Sequence, residues 1–475
     1  MNYTTKDNQV KRQTGRTILV CLFWLAFWQV LAMIVGNSLL LPTVPETLVA
    51  LANLVKESSF YMDVAWTLFR CILAILLSVV MGVLSAMLAY KNGFARVLLT
   101  LPVSFFKAVP VMAIVIYVIL LVKADWVAVV ACLLMCFPIV YTNILAGLDS
   151  VSGELLEVAH IYELKNKDIV KLIYIPSVMP QFNSAMKIVA GLSWKAVVAA
   201  EVLSVPEFSL GQGMISAKYY LETPTLFAYI VVIVGLSLCL EKIIVVLTEN
   251  LTSKKYQGSK LGEMKNDRLS YESLPGLPEV KLEGVCKSFE DKNVLEQFTK
   301  EIKAGSKLAL FGPSGSGKTT LVRIIAGLEK VDEGRLSYST KPSIAYLFQE
   351  NRLLPWLNVY DNLALSMIRN DASLNDDLIR KMAESLEIDK ELWSLPGELS
   401  GGMRHRVAIG RTLLADANLM ILDEPFRGLD QDLKTCIVDR LWDKCTKNKT
   451  VIVITHNEKD LELLGIEETI SLATK

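Results

Sequence analysis

A glycine-rich segment starting at Gly312 has the residue types and the spacing of a phosphate-binding loop. It reads Gly-Pro-Ser-Gly-Ser-Gly-Lys-Thr, it follows an apolar strand candidate at 306–311, and a helical pattern begins directly after it. Glycines there let backbone N–H groups close around phosphate oxygens at the amino end of a helix. Lys318 would neutralise the β- and γ-phosphates, and the Thr319 hydroxyl would bind Mg²⁺. The predicted phosphate-binding residues are Gly312, Ser314, Gly315, Gly317, Lys318, Thr319 and Thr320.

Two adjacent carboxylates, Asp423 and Glu424, follow a second apolar strand candidate at 419–422. Two acids in this position are also typical of a solvated strand end. Downstream of a phosphate loop, however, the pattern favours chemistry. Asp423 would lie near Mg²⁺, and Glu424 would act as the general base on an attacking water. The two motifs together predict hydrolysis of a nucleoside triphosphate.

Further motifs resemble those of ABC ATPases, and they follow that family's order along the chain. The most specific is Leu-Ser-Gly-Gly-Met at 399–403, which is similar to the family's signature sequence. The others are an aromatic residue for adenine stacking, a glutamine, an aspartate after Gly-Leu and a histidine after a strand candidate, namely Phe289, Gln349, Asp430 and His456. These motifs extend over nearly all of 279–475, so the resemblance covers a whole ATPase domain.

The resemblance implies that two subunits enclose each ATP. Ser400, Gly401 and Gly402 of one copy would then contact the γ-phosphate held by the phosphate loop of the other copy. It also implies catalytic roles for Glu424, His456 and Gln349, and Mg²⁺ contacts from Thr319, Gln349 and Asp423.

Three residues depart from the family pattern. Met403 and His405 stand where glutamine is common, and Arg427 precedes Gly428 where a small residue is usual. None of them removes a catalytic group. We expect them to affect the turnover rate and not the type of reaction.

The elements that carry these motifs occupy only the second part of the 475-residue chain. Overall, 52% of the residues are hydrophobic although 21% are charged. These values fit a chain whose apolar residues are concentrated in one part, and that part is 17–247. The formal net charge is zero, which gives no electrostatic reason to expect a nucleic acid partner.

Six apolar stretches in the first part have lengths suited to a lipid bilayer. They lie at about 17–36, 66–89, 100–122, 126–147, 184–204 and 225–247. The first is expected to be a retained helix, because no small-x-small cleavage site follows it. Lysine and arginine are concentrated in the segments that a cytoplasmic amino terminus would place inside. The pattern predicts a multi-pass protein of the plasma membrane, with its amino terminus and the ATPase domain in the cytoplasm.

The segment 154–176 resembles the cytoplasmic loop through which importer-type ABC permeases contact their ATPase. Glu157 and Ala159 match the start of that loop, and Ile-Tyr-Ile-Pro at 173–176 is similar to the turn that follows it. Glu163 stands where glycine is usual, which is a departure at the local turn. The resemblance implies a coupling helix that docks near Gln349, and it argues against an exporter. An amphipathic helix without a special role is the alternative.

Other segments resemble the nitrate, sulfonate and taurine importers, whose permease and ATPase are normally separate chains. They include Leu-Leu-Pro-Trp-Leu-Asn-Val at 353–359 and Glu-Thr-Pro at 222–224. Charged residues inside predicted spans are the default candidates for a solute path, and here they are Arg70, Lys195 and Glu201. Lys195, doubled by a two-fold axis, would suit an anionic solute. Pairing within the protein or snorkelling to an interface is the alternative for this lysine.

The expected architecture is an all-α six-helix transmembrane permease domain at 1–251, a linker at 252–278 and an α/β P-loop ABC ATPase domain at 279–475. We expect a homodimer in the lipid bilayer that uses ATP and Mg²⁺ to import a small anionic or sulfonate-like solute. A separate extracytoplasmic binding protein would deliver that solute. The alternatives are a thiamine-precursor pyrimidine importer, a heterodimer with a second half, an exporter and an ATP-binding membrane regulator.

Overall fold

The computed structural model describes residues 3–256, 276–290, 292–368 and 376–472. Contacts divide the chain into two compact units, Met1–Ser150 with Val178–Leu251 and Val151–Ser177 with Thr252–Lys475. Most of the predicted linker, from 257 to 275, lies outside the described residues. The predicted coupling loop belongs by its contacts to the second unit, although the sequence places it within the permease domain.

The first unit is helical, as its apolar stretches predict. In chain order its helices are α1 (Tyr3–Val35), α2 (Val44–Leu54), α3 (Ser58–Lys91), α4 (Gly93–Ala108), α5 (Val111–Ile119), α6 (Ala124–Asp149), α9 (Ile175–Ser204), α10 (Leu210–Tyr219) and α11 (Thr223–Tyr256). α3 packs along α6. The close approach requires a glycine at position 82, because a Cβ atom on Gly82 would lie 2.7 Å from the Cβ of Val140.

Length and composition support fewer spans than the six expected. Among the described helices, three are long and apolar enough to cross a membrane, namely α3, α6 and the Thr223–Asn250 part of α11. α4 and α5 add a fourth span if the bent pair is counted as one. The apolar part of α1, Leu19–Val35, is shorter. α9 carries Lys187, Lys195 and Glu201, so its stretch at 184–204 is less apolar than the others.

The predicted span at 100–122 is broken in the structure into two helices. α4 and α5 meet at Val109 and Pro110 with their axes bent by 103°. A proline lacks the N–H that would continue the helix and disfavours helical backbone in the residue before it. Val109 accordingly has an extended conformation, with ψ of 130°. The hydropathy of 100–122 gives no indication of this break between the two helices.

The second unit contains two β-sheets. Its strands are β1 (Val280–Phe289), β2 (Lys292–Ile302), β3 (Lys307–Phe311), β4 (Glu333–Tyr338), β5 (Ile344–Leu347), β6 (Leu419–Asp423), β7 (Thr450–Ile454) and β8 (Glu468–Ser471). An antiparallel sheet has the order β2-β1-β4, and a parallel sheet has the order β5-β6-β7-β3-β8. β6 and β7 are buried along their whole length. Since parallel strands end at the same edge of a sheet, the segments after β3, β6 and β7 converge.

Helices cover this parallel sheet. They are α7 (Gly153–Ile161), α8 (Asn166–Ile169), α12 (Lys318–Ile325), α13 (Val359–Ala364), α14 (Asp376–Ser385), α15 (Gly401–Leu413), α16 (Gln431–Ile437), α17 (Asp443–Thr446) and α18 (Glu458–Leu464), with π-helical turns at Val170–Tyr174 and Val438–Trp442. Buried side chains of α7 belong to the same apolar core as the sheet. The fold is therefore the predicted α/β domain with one further segment packed onto it.

The turn after α7 persists although glutamate replaces the expected glycine. Glu163 has a left-handed backbone, with φ of 46°. The N–H of Leu164 donates to the carbonyl of Ala159 at 2.9 Å, which closes the helix end. Left-handed backbone strains residues that have a Cβ. Glu163 thus keeps the turn that glycine would form, but with a strained backbone.

Candidate functional site

The phosphate loop joins β3 to α12, as its motif predicts. Gly312 (φ 147°) and Gly317 (φ 89°) have backbone conformations that suit glycine. A Cβ atom on Gly312 would also lie 2.3 Å from the carbonyl oxygen of Leu472. The loop opens into a cleft of about 310 Å³ whose lining includes Ser314, Gly315, Gly317, Lys318, Thr319, Thr320, Gln349, Asp423, Glu424 and His456. The strand ends have brought together residues that lie far apart in the sequence.

Lys318 is held inside this loop. Its side chain is 5% exposed, and Nζ donates to the carbonyl oxygens of Gly312 (2.9 Å) and Pro313 (2.7 Å). Burial lowers the pKa of Lys318, and the nearby carboxylates of Asp423 and Glu424 oppose that shift. A buried ammonium with only neutral oxygen ligands is well suited to receive phosphate oxygens.

Oxygen atoms of Thr319 and Asp423 face each other across the cleft. The Thr319 hydroxyl donates to Asp423 Oδ2 at 3.1 Å. Burial raises the pKa of Asp423 to about 6. A hydroxyl beside a buried carboxylate, with the Gln349 amide lining the same cleft, is an all-oxygen donor set of the kind Mg²⁺ prefers. The residues therefore fit the predicted metal.

Glu424 lies between Gln349 and His456. His456 Nε2 is 3.2 Å from Glu424 Oε1, and Gln349 Nε2 donates to Glu424 Oε2 at 3.5 Å. Glu424 has a left-handed backbone, with φ of 53°, and its N–H donates to the carbonyl of Ile454 at 2.9 Å. Its side chain is 20% exposed and that of His456 is 45% exposed. A carboxylate held open to the cleft in this way can accept a proton from water.

The signature residues lie away from this cleft. Ser400 caps α15, and its hydroxyl accepts the N–H of Met403 at 3.2 Å. Neither Gly401 nor Gly402 has a neighbour within 4 Å of an added Cβ, so both leave open space. None of the three lines the cleft of the same chain. Their predicted contact with a second copy's ATP stays a prediction.

Asp430 and Phe289 also lie outside the cleft lining. Asp430 caps α16 by accepting the N–H of Leu433 at 2.9 Å. Phe289 ends β1 and is 45% exposed, with the Lys287 ammonium 5.2 Å from its ring centre. An exposed ring in this position is available for stacking, and its predicted role on adenine stays a prediction.

His405 connects two parts of the site that the sequence treated separately. Its Nδ1 lies 3.0 Å from Asn351 Oδ1, two residues beyond Gln349. Its Nε2 lies 3.0 Å from the carbonyl oxygen of Pro425, next to Glu424. A carbonyl can only accept, so Nε2 carries the proton. The sequence signal was present, since His405 is a departure from the family, but its role was missed.

Glu157 ties the coupling segment to the nucleotide site. Its carboxylate accepts two hydrogen bonds of 2.8 Å from Arg323, which lies on the helix that begins at Lys318. It also accepts one of 2.5 Å from Arg352, three residues beyond Gln349. The hydrogen bonds from Arg323 lower the pKa of Glu157, and those from Arg352 add to this. One carboxylate thus joins the phosphate-loop helix to the segment after Gln349.

Two other side chains, Trp356 and Arg411, extend this connection. Trp356 Nε1 donates to the carbonyl of Leu172 at 2.7 Å. Buried Arg411 of α15 donates to the carbonyls of Asn351 (3.0 Å) and Arg352 (2.9 Å), and its guanidinium lies 5.7 Å from the centre of the Tyr162 ring. Ala159 is buried in the shared core. The sequence singled out Glu157 and Ala159 but missed the arginines that receive the segment, because only the fold brings them near it.

Arg70 and Glu201 of the first unit form a buried ion pair. Arg70 Nη1 lies 3.0 Å from Glu201 Oε1, and the side chains are 3% and 0% exposed. Thr67 donates to the other oxygen of Glu201 at 2.9 Å, and Arg70 donates to the carbonyls of Phe208 and Glu207. Arg70 and Glu201 therefore have a structural role within this unit. Their predicted place on a solute path stays a prediction.

Lys195 differs from that pair, because its side chain is exposed on α9. No carboxylate of the described residues lies within ion-pair distance of it. The suggested internal pairing of Lys195 is not found there. Its place on a solute path stays a prediction.

Two family descriptions match the chain in succession. "Binding-protein-dependent transport system inner membrane component" matches residues 78–252, and "ABC transporter" matches residues 295–427. The first match covers most of the helical unit. The second runs through the phosphate loop, the signature and the two carboxylates.

Curated relatives are ATP-binding proteins named for sulfonate import. Aliphatic sulfonates import ATP-binding protein SsuB 1 of Paracoccus denitrificans (strain Pd 1222) is 38% identical over 189 residues, which cover 40% of this chain and 77% of the relative. The SsuB protein of Bacillus subtilis (strain 168) is 39% identical over 181 residues, covering 37% of this chain and 71% of the relative. A solved dimeric ATP-binding cassette bound to ADP and Pi aligns at 28% identity with a TM-score of 0.36, over 41% of this chain and 94% of that chain. Both curated similarities extend over more than two thirds of the relative's length.

Proposed function

The chain belongs to the ABC transporter family, and from that premise we propose that it imports a small organic sulfonate as a homodimer of fused permease and ATPase halves. One polypeptide combines a permease component with a transport ATPase. The observation that carries the proposal is the open carboxylate of Glu424, which lies between Gln349 and His456 beside the phosphate loop.

ATP binding would begin with an exchange of partners at Lys318. The ammonium now donates to two backbone carbonyls of the loop. Phosphate oxygens are stronger acceptors because they are charged, so Lys318 would turn to the β- and γ-phosphates while the loop N–H groups close around them. Phe289 would stack on the adenine ring.

Hydrolysis would use the carboxylate of Glu424 as general base. It would accept a proton from the water that attacks the γ-phosphate, and Gln349 and His456 would orient the reacting groups. Thr319, Asp423 and Gln349 would hold Mg²⁺, which when bound neutralises developing charge on the phosphate oxygens. The left-handed backbone of Glu424 fixes the direction of its side chain.

A second copy of the chain would complete the site. Ser400, Gly401 and Gly402 lie outside the cleft of their own chain and offer an open helix amino end. In the dimer, this end would face the γ-phosphate bound by the other copy. Each nucleotide would then be enclosed only when the two ATPase units approach each other.

Movement would reach the membrane through the coupling segment. Glu157 joins the phosphate-loop helix to the segment after Gln349, so it senses both sides of the nucleotide site. We infer that closure of the ATPase units shifts this segment and, through it, the membrane helices on either side of it in the sequence. The ATPase units lie in the cytoplasm in this scheme.

The relatives support a sulfonate as the solute. Those named above are aliphatic sulfonate import ATP-binding proteins, and they favour this class over pyrimidine precursors. A separate binding protein would deliver the sulfonate, in keeping with the family description of the permease component.

The test uses the source organism, which supplies the binding protein. The gene is deleted and replaced by the natural sequence, by Glu424→Gln or by the control Glu384→Gln, which changes an exposed side chain of α14. We expect uptake of ³⁵S-labelled ethanesulfonate to be lost with the deletion and restored by the natural sequence and the control. Glu424→Gln should lower uptake and the ATPase rate of the purified protein by about 100-fold or more.

Two results would overturn the proposal. Full ATPase activity of Glu424→Gln would remove the catalytic assignment. Unchanged ethanesulfonate uptake in the deletion strain, together with loss of uptake of another solute such as nitrate, would remove the sulfonate assignment and leave the ATPase assignment intact.

A further inference from the structure

α4 carries a line of polar side chains although it belongs to the membrane unit. Counting along the helix, they are separated by four, four and three residues, so they lie on one side of it. They are Arg96, Thr100, Ser104 and Lys107, and all four are exposed. We name these residues the polar stripe.

The rest of the α4 surface is apolar. Ala95 and Val103 are buried against the unit. The remaining exposed side is formed by large apolar side chains, namely Phe94, Val97, Leu98, Leu101 and Phe105. α4 thus has one face for the protein, one for lipid and a third, polar face that neither environment explains.

The polar stripe extends along most of α4, from its first turn to its last. Arg96 pairs with Asp149, the last residue of α6, with an Nη2–Oδ2 distance of 2.6 Å and both side chains partly exposed. We take this pair, at the start of α4 and the end of the span candidate α6, as the level of the membrane surface on that side. Lys107 is eleven residues farther along α4, about 16 Å on an α-helix. Half the hydrocarbon thickness is about 15 Å. If α4 crosses the bilayer as the first part of the broken span, Lys107 lies near the bilayer centre.

Lys107 has no ionic partner to compensate for this position. No carboxylate of the described residues lies within ion-pair distance of it. The four-carbon stem of lysine is much shorter than the distance to either membrane surface. Favourable interaction with the end of α4 is available to Lys107 in the last turn, but it does not hydrate the ammonium. A cation at this depth requires water or an anion.

The break in the chain points to the same conclusion. Val109 and Pro110 interrupt the helix two residues after Lys107, and Pro110 is exposed. Non-helical backbone at membrane depth is tolerated only where protein covers it or where it lines a water-filled cavity. The backbone and the side chain thus independently indicate an aqueous surface at the same level.

We propose that the polar stripe of α4 lines the path of the transported solute and that the Lys107 ammonium contacts the solute's negative charge at mid-membrane. This inference rests on the proposed import function and adds the residues that would contact the anionic solute. Lys107 was not among the charged residues that the sequence singled out within the predicted spans. Lys195 of α9 is a second exposed cation, and the proposal does not require the two to meet.

Cysteine accessibility tests this without knowledge of the solute or the binding protein. The full-length protein, with exposed Cys21 and Cys239 replaced by serine, receives one new cysteine at a time: Ser104→Cys on the polar stripe, Leu101→Cys on the apolar face and Asn92→Cys at the helix start. Membranes are treated with anionic and cationic methanethiosulfonates, with and without ATP. ATPase activity of each variant shows that it is folded.

We expect Ser104→Cys and Asn92→Cys to react and Leu101→Cys to stay unreactive. At position 104, three residues before Lys107, the anionic reagent should react about threefold faster than the cationic one or more. Adding Lys107→Gln should bring that ratio close to one.

Two results would overturn the proposal while the ATPase remains active. In the first, Ser104→Cys does not react with or without ATP although Asn92→Cys does, which means that lipid or protein covers the polar stripe. In the second, the ratio of rates at position 104 is unaffected by Lys107→Gln, which means that the lysine does not act on anions there. If the protein with its natural sequence has no ATPase activity, that result would instead refute the proposed function.

Discussion

The nucleotide cleft and the membrane unit each contain a glutamate beside a basic or polar partner, and the two glutamates differ in how they are satisfied. Glu201 is fully buried, and its oxygens accept hydrogen bonds from Arg70 and Thr67 at 3.0 Å or less. Glu424 is partly exposed, and its contacts with His456 and Gln349 are longer, at 3.2 and 3.5 Å. The first group has no capacity left for a ligand, whereas the second faces a cleft.

The difference teaches how charged residues inside a transporter can be sorted. A saturated buried pair stabilises helix packing, because breaking it leaves an uncompensated charge. An open or unpaired charge, such as Glu424 or Lys107, is available for chemistry or for a ligand. Residue type and location within a predicted span do not distinguish structural charges from charges that are available to a ligand. The two kinds differ in whether all their hydrogen-bonding atoms already have partners.

The largest expected effect concerns the saturated pair. Arg70→Met should lower the free energy of unfolding by about 3–5 kcal/mol, because Glu201 stays buried without its partner. The double variant Arg70→Met with Glu201→Leu should recover most of this loss. Thermal unfolding in detergent measures both, and Lys187→Met, which removes an exposed pair with Glu249, serves as control with an effect below about 1 kcal/mol. If the double variant is as unstable as Arg70→Met, the loss of stability does not come from an uncompensated charge on Glu201.

Glu157 is the next test, because it is saturated by two arginines yet lies in the proposed coupling segment. Glu157→Gln should leave the basal ATPase rate of the purified protein nearly unchanged and lower sulfonate uptake by about fivefold or more, as expected for a lost coupling energy. Glu154→Gln, on the same helix and exposed, should affect neither. Equal losses of ATPase rate and uptake in Glu157→Gln would mean that the residue supports the nucleotide site itself.

Glu163 extends the comparison to the backbone. It shares a left-handed conformation with Glu424, but it lies outside the catalytic cleft. Glu163→Gly should raise the free energy of unfolding by about 1 kcal/mol, because glycine adopts this backbone without strain. Glu163→Ala removes the carboxylate and keeps the Cβ atom, so a gain in the glycine variant alone identifies the backbone as the cause. Equal stability of both variants would refute the strain.

The smallest expected effect concerns His405. Burial lowers its pKa below the ordinary value of 6.5, so the unfolded chain takes up the proton more readily than the folded one. Stability should therefore be lost as pH falls through 6.5 towards the pKa of the folded state. The decrease in melting temperature between about pH 7.5 and about pH 5.5 should be smaller in His405→Gln. An identical pH profile in both proteins would show that His405 does not titrate in this range.

The ATPase unit could be predicted closely from the sequence. The phosphate loop, the carboxylates at the end of β6 and His456 occur in contiguous motifs, each attached to an apolar strand whose end fixes its position. The membrane unit could not be predicted as well. The break at Val109 and Pro110 and the pairing of Arg70 with Glu201 depend on proline geometry and on contacts between distant helices.

Three properties follow from the amino-acid sequence without the fold: the division into an apolar part and an ATPase part, the phosphate-loop chemistry and the acidic residue that starts the coupling segment. Each of these is local, because a motif binds phosphate through its own backbone and an apolar run partitions into lipid through its own side chains. The folded arrangement alone shows which charges are saturated, that Arg323 and Arg352 receive Glu157, and that Lys107 has no ionic partner among the described residues. Those properties depend on contacts between residues that are far apart in the sequence. The interaction energies of these residues depend on how deeply the rest of the fold buries them.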